Sequence, residues 1–134
     1  MEVIVRKWLD YAKADLEAAE VLAKNPESHY SFQIAILHCH QAVEKILKTV
    51  TVAKGEEPRR VHNLIALAEY SKAEIPQDMF SYIEELNPYY QPARYPDLPT
   101  GHTVLKFDKS ATLYHLKKTK KLFQWITEKY ILKK

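Results

Sequence analysis

The stretch Leu37-His38-Cys39-His40-Gln41-Ala42-Val43-Glu44-Lys45-Ile46-Leu47-Lys48 decides the fold. Around it Phe32, Ala35, Ile36, Cys39, Ala42, Val43, Ile46, Leu47 and Val50 recur at three- and four-residue steps. On a helix they cover an apolar arc of about 140°. The spacing predicts a core helix from about Ser31 to Lys54, with Gly55 as its C-terminal stop.

The flanking segments repeat the pattern. Val5, Leu9, Ala12, Leu16 and Ala19 predict a first helix over about Val3–Lys24, ended by Asn25-Pro26. After Glu56-Glu57-Pro58-Arg59-Arg60, a third helix carries Leu64, Ile65, Leu67 and Ala68. Pro76 separates it from a shorter segment, Met79 to Leu86. A last helix, about Asp108 to Leu132, is capped by Asp108 and expected to bury Leu113, Leu116, Phe123, Ile126 and Tyr130. Between them, Asn87 to Gly101 holds Pro88, Pro92, Pro96 and Pro99 and is expected to be neither helix nor central strand. Its Tyr89, Tyr90, Tyr95 and Leu98 make it an ordered loop packed on the bundle. The expected fold is therefore all-α: an up-and-down four-helix bundle, one domain over residues 1–134, with an additional short helix and an ordered Pro-rich loop before the last helix.

Composition agrees. Only Gly55 and Gly101 occur, too few for the tight turns of a β-rich domain. Hydrophobic residues make up 46% and charged residues 28%, which argues against disorder. The charged, aromatic start Met1-Glu2-Val3-Ile4-Val5-Arg6-Lys7-Trp8 does not read as a signal peptide, and no apolar run approaches the ~20 residues of a membrane span. The single Cys39 rules out an intramolecular disulfide. A soluble cytoplasmic protein is expected. The net charge of +3 hides an asymmetry, since eight lysines from Lys109 onward face only Asp108 and Glu128. Such a basic helix reads first as a solvated face and second as a surface for phosphate or an acidic partner.

Two stretches carry chemistry. Opposite the core arc of the second helix, Ile34, His38, Gln41, Lys45, Lys48 and Val52 form a stripe with apolar ends and a polar centre, the spacing of a helix seam. Its apolar ends call for cover, by a second subunit or by the Pro-rich loop. Beside it run His40, Glu44 and Lys48, with Glu44 and Lys48 spaced for an i, i+4 ion pair. The second stretch is Arg94-Tyr95-Pro96-Asp97. In a structural reading Pro96 holds Tyr95 extended and Asp97 holds Arg94. In a binding reading Arg94 grips phosphate, Tyr95 offers a stacking surface, and His38, Gln41, Lys45 and Lys48 complete a basic pocket with Asp97 at its edge.

No metal site or cofactor is expected. His38 and His40 point about 200° apart on a helix, and His40 with Glu44 lacks a third ligand. Cys39 lies on the core arc, as a small buried hydrophobe.

His38-x-x-Gln41-Ala42-x-Glu44-Lys45-x-Leu47-Lys48, Pro58, His62-Asn63-Leu64, Tyr90 and Arg94-Tyr95-Pro96-Asp97 together resemble the HEPN domain family. The likeness runs from about Val5 to Tyr130, with Asn63 where the family more often has aspartate. It implies a helical bundle that usually pairs as a homodimer. Some members are metal-independent ribonucleases, often toxins of toxin–antitoxin pairs. Others stand beside a minimal nucleotidyltransferase or bind nucleotides. The ribonucleases set a histidine four to six residues past an arginine. Here the downstream histidine is His102, and seven residues separate it from Arg94. Three readings follow: a nucleotide- or RNA-binding module partnered with a minimal nucleotidyltransferase, a metal-independent ribonuclease toxin using Arg94 and His102, and a non-catalytic dimeric scaffold. On the first, Lys45→Glu with Arg94→Ala weakens phosphate binding and leaves the fold intact.

Overall fold

The computed structural model describes residues 1–96 and 105–132. Helix α1 spans Val3–Lys24 and α2 spans Tyr30–Ala53. They pack along their length as the main pair of the fold, and α6 (Lys109–Ile126) lies against both. Two shorter helices, α3 (Leu64–Ser71) and α4 (Gln77–Leu86), complete the bundle. A 3₁₀ turn, Asn87–Tyr89, leads into α5 (Tyr90–Arg94), which sits on α2. The chain ends its described part in a π-helical turn, Thr127–Ile131. Among the described residues there is no strand, and no helix is long and apolar enough to cross a membrane.

The α2 helix is the axis of the structure because its apolar arc finds partners on several sides. Ile36, Val43, Ile46 and Leu47 have no exposed surface and pack with Leu9 of α1, Leu64 of α3, Ile83 of α4 and Ile126 of α6. Full burial of each such side chain contributes about 1.5–3 kcal/mol. A second cluster of Ala19, Ala23, Ala35, Cys39 and Leu116 brings α1, α2 and α6 together through small side chains. Cys39 is buried there, and burial pushes its thiol up to about 12.

Helix ends follow local chemistry. Asn63 caps α3 through its side-chain oxygen, which accepts from Ala66 N–H at 3.0 Å. Asp108 caps α6 in the same way, accepting from Ala111 N–H at 2.7 Å. Gly55 has φ +80°, the left-handed conformation that lets the chain turn away after α2.

Two expectations are corrected. The segment after α4 is helical from Asn87 to Arg94 despite Pro88 and Pro92. Both prolines fall in the opening turn of a short helical piece, where the missing N–H has no intrahelical partner to lose. Leu113 is exposed, and α6 instead turns Thr112, His115, Thr119 and Leu122 inward. One phenol satisfies two of these polar groups: Tyr82 Oη lies 3.0 Å from His115 Nδ1 and 2.9 Å from Thr119 Oγ1.

Candidate functional site

Arg94 closes α5, and its exposed guanidinium lies between two phenol rings, 5.6 Å from the centre of Tyr90 and 5.4 Å from that of Tyr95. Its Nη1 donates to the Tyr90 hydroxyl at 2.5 Å. That hydroxyl is 3.3 Å from His62 Nε2, and the Tyr90 ring stacks on the His62 ring with centroids 4.2 Å apart. On the other side of the imidazole, Nδ1 lies 3.0 and 3.2 Å from the two oxygens of Glu44. Glu44 is buried and also accepts from Lys48 Nζ at 3.0 Å. A continuous polar chain thus runs from Arg94 through Tyr90, His62 and Glu44 to Lys48.

Donor and acceptor roles along it are set by elementary chemistry. A carboxylate only accepts, so His62 carries a hydrogen on Nδ1, and whenever the ring is neutral its lone pair lies on Nε2. Arg94 only donates, so Tyr90 accepts from it and turns its own O–H toward Nε2.

The floor beneath is His40, with no exposed surface. Its Nε2 donates to the Asn87 carbonyl at 3.2 Å, and its Nδ1 has no hydrogen-bond partner, with Glu44 Oε1 at 4.0 Å. Burial drives its pKa down to about 4, against the pull of the nearby Glu44 charge, so the ring is neutral at pH 7. Asn87 also accepts from Leu64 N–H through its side-chain oxygen at 2.7 Å. Gln33 binds the next turn by donating to the carbonyls of Pro92 and Ala93 at 3.1 and 3.2 Å. These ties hold the segment before Arg94 against α2.

The residues singled out in the sequence fall into two groups. Arg94 and Tyr95 stand at the end of α5, and Lys48 joins them through Glu44, His62 and Tyr90. His38 and Lys45 turn instead to Asp15 of α1, with His38 Nδ1 at 2.9 Å from Oδ1 and Lys45 Nζ at 2.5 Å from Oδ2. Gln41 is half-buried between them on α2. Lys45 also lines a groove of about 290 Å³ with Ile4, Lys7, Trp8 and Tyr11, a lining that does not include Arg94. Asp97 and His102 lie outside the described residues.

Sequence reasoning missed the organising carboxylates. Asp15 interrupts the apolar spacing of α1 between Ala12 and Ala19, and a charge on a core stripe is the signal that a partner waits for it. Glu44 was legible as the partner of Lys48, but its bond to His62 joins segments 18 residues apart.

The HEPN domain profile matches residues 5–130. The chain belongs to the HEPN domain family. This HEPN domain has the fold of TT1696 from Thermus thermophilus, with a TM-score of 0.76 and 23% identity over 92% of this chain and 96% of that one. It likewise resembles ST0689, an archaeal HEPN homologue, with a TM-score of 0.71 and 22% identity over 94% of this chain and 97% of that one. Among curated proteins, none matches it in sequence.

Proposed function

We propose that this HEPN domain is a nucleotide- or RNA-binding module whose anion site is centred on Arg94, and that it works as the partner of a minimal nucleotidyltransferase in a toxin–antitoxin-type pair. The observation that carries the reading is the exposed guanidinium held between Tyr90 and Tyr95. A fork of N–H donors flanked by two aromatic faces suits a ligand that joins a phosphate to a planar base. The imidazole of His62, half exposed on the same surface, adds a second polar edge. Exposed Ile4, Tyr11 and Ile34 on α1 and α2 support a homodimer built through these two helices.

Titration of nucleotides and short RNA oligomers at two salt concentrations tests the site. Wild-type binding weakens as salt rises, and Arg94→Ala binds at least ~10-fold more weakly. Equal affinity of Arg94→Ala and wild type, or affinity indifferent to salt, refutes it. Co-purification with a small nucleotidyltransferase encoded beside it tests the partnership.

A further inference from the structure

The end of α4 and the start of α6 frame a polar cleft of about 400 Å³, and its described lining shares no residue with the chain from Arg94 to Lys48. The volume is that of a small-molecule site. Two carboxylates stand on it from different elements, Glu85 of α4 and Asp108 ahead of α6. Each is only half used. Glu85 Oε1 accepts from the Tyr114 hydroxyl at 2.6 Å, and Asp108 Oδ1 accepts from Ala111 N–H at 2.7 Å. Among the described residues neither has an ion-pair partner. The bond to Glu85 pushes the Tyr114 phenol up to about 12, so the hydroxyl stays a donor.

The lining also holds a buried acceptor. His115 is 2% exposed and yet borders the cleft. Its tautomer follows from Tyr82. The Tyr82 hydroxyl donates to the His115 carbonyl at 3.1 Å, since a carbonyl only accepts. That spends its one hydrogen, so Tyr82 Oη accepts from His115 Nδ1–H at 3.0 Å. The lone pair of the ring is therefore on Nε2, which has no hydrogen-bond partner among the described residues. Burial holds the ring below its ordinary pKa of 6.5, against the pull of the Glu85 charge, and keeps it neutral at pH 7. Tyr89 and Tyr114, also on the lining, have ring centres 4.8 and 5.2 Å from the imidazole.

Charge decides what such a lining takes. Among the described lining residues Lys106 is the only cation, and it is exposed, so the two carboxylates leave the cleft net negative. The positive end of α6 is already met by Asp108, whose side chain and carbonyl take the N–H groups of Ala111 and Thr112. A phosphate here would face two carboxylates and a lone pair. An ammonium would face charge, aromatic rings and acceptors together. The lone pair on Nε2 asks for an N–H donor, which a primary ammonium has and a quaternary one lacks. Lys118 Nζ lies 5.9 Å from the Tyr114 ring centre, so this ring already attracts one ammonium from off the lining.

We propose that the cleft between α4 and α6 binds a primary alkylammonium group, with Glu85 and Asp108 supplying the charge and His115 Nε2 accepting one N–H. A free aliphatic amine and a lysine side chain of another protein present the same chemistry. The site is independent of the reading of Arg94.

An NMR titration of the isotope-labelled full chain with n-butylammonium tests it. The expected result is saturable shifts at Glu85, Tyr114 and His115 Nε2, with affinity falling as salt rises. Tetramethylammonium and n-butanol, which lack the N–H donors or the charge, bind at least ~10-fold more weakly. Glu85→Gln and Asp108→Asn each weaken n-butylammonium at least ~5-fold, the second with its helix cap kept. Lys106→Met, which removes the competing cation, tightens it. Nα-acetyl-lysine methylamide separates the sources: affinity equal to that of n-butylammonium assigns the site to a protein lysine, and weaker affinity assigns it to a free amine. Absence of saturable shifts, equal affinity in wild type and both charge-removing variants, or inorganic phosphate bound in preference to n-butylammonium overturns the proposal.

Discussion

Asp15 of α1 and His38 of α2 meet at 2.9 Å, Oδ1 to Nδ1, across the main helix pair of the fold. The other oxygen of the same carboxylate takes Lys45. Burial pushes the Asp15 carboxyl up, and the hydrogen bonds and charges of His38 and Lys45 outweigh it, leaving its pKa below the ordinary 3.8. Asp15 is therefore a seam between α1 and α2 and not a surface charge. Asp15→Ala is expected to cost about 1–3 kcal/mol in a denaturant titration near pH 7, because two partners lose their acceptor. The folded pKa is depressed, so the contribution is full above 3.8 and lost as pH falls below it toward the folded value. The stability gap between wild type and Asp15→Asn should accordingly narrow below that pH.

The same contact changes the consequence of a charge reversal on α2. Lys45→Glu sets a second carboxylate against Asp15, so the variant is destabilised as well as altered in charge, contrary to the expectation of an intact fold drawn from sequence. Arg94→Ala removes an exposed side chain and should melt within ~0.5 kcal/mol of wild type. Ile36→Asp buries an unpaired charge among fully enclosed side chains and should abolish the cooperative transition. Thermal melts of the three variants check this order.

His40 predicts a sensitivity to mild acid. Burial holds its folded pKa near 4, against 6.5 for the free side chain. Its contribution is full above 6.5 and is lost as pH falls from there toward 4, because the unfolded chain takes up a proton that the folded one refuses. His115, also buried and lowered, adds in the same direction. Each such group gives a slope of up to about 1.4 kcal/mol per pH unit within its window. Urea titrations between pH 7.5 and 4.5 should show stability falling across this range, and His40→Gln should flatten the slope.

The two N-caps offer a local comparison. Asn63→Ala and Asp108→Ala each remove an acceptor from a helix start, at a cost of about 0.5–2 kcal/mol. Asn63→Ser and Asp108→Ser, which keep a side-chain oxygen at the cap, should avoid most of that loss in a denaturant titration.

Helical periodicity carried most of the fold. The apolar spacing of α1 and α2 placed both helices within a residue of their ends, while Gly55 at the end of α2 and Asp108 at the start of α6 marked boundaries by backbone or side-chain chemistry that acts within a few positions. Legibility failed where a partner is distant in sequence. Pro88 and Pro92 read as helix breakers because their position in an opening turn depends on where α4 stops. The burial of His115 and Thr119 was not legible because their satisfaction comes from Tyr82 on another helix. At the candidate site Arg94 and Tyr95 were visible as a motif. The role of Glu44 was hidden, since i, i+4 spacing names Lys48 as its neighbour and says nothing of His62.

Asn87 gathers several of these threads into a single residue. Its side chain starts α3, its carbonyl seats His40, and the chain that leaves it carries Arg94. Drift at this position would loosen a helix start, strand a buried imidazole and misdirect the arginine in one stroke. Durability and recognition are thus inherited here as a single trait, and neither can be traded away without the other.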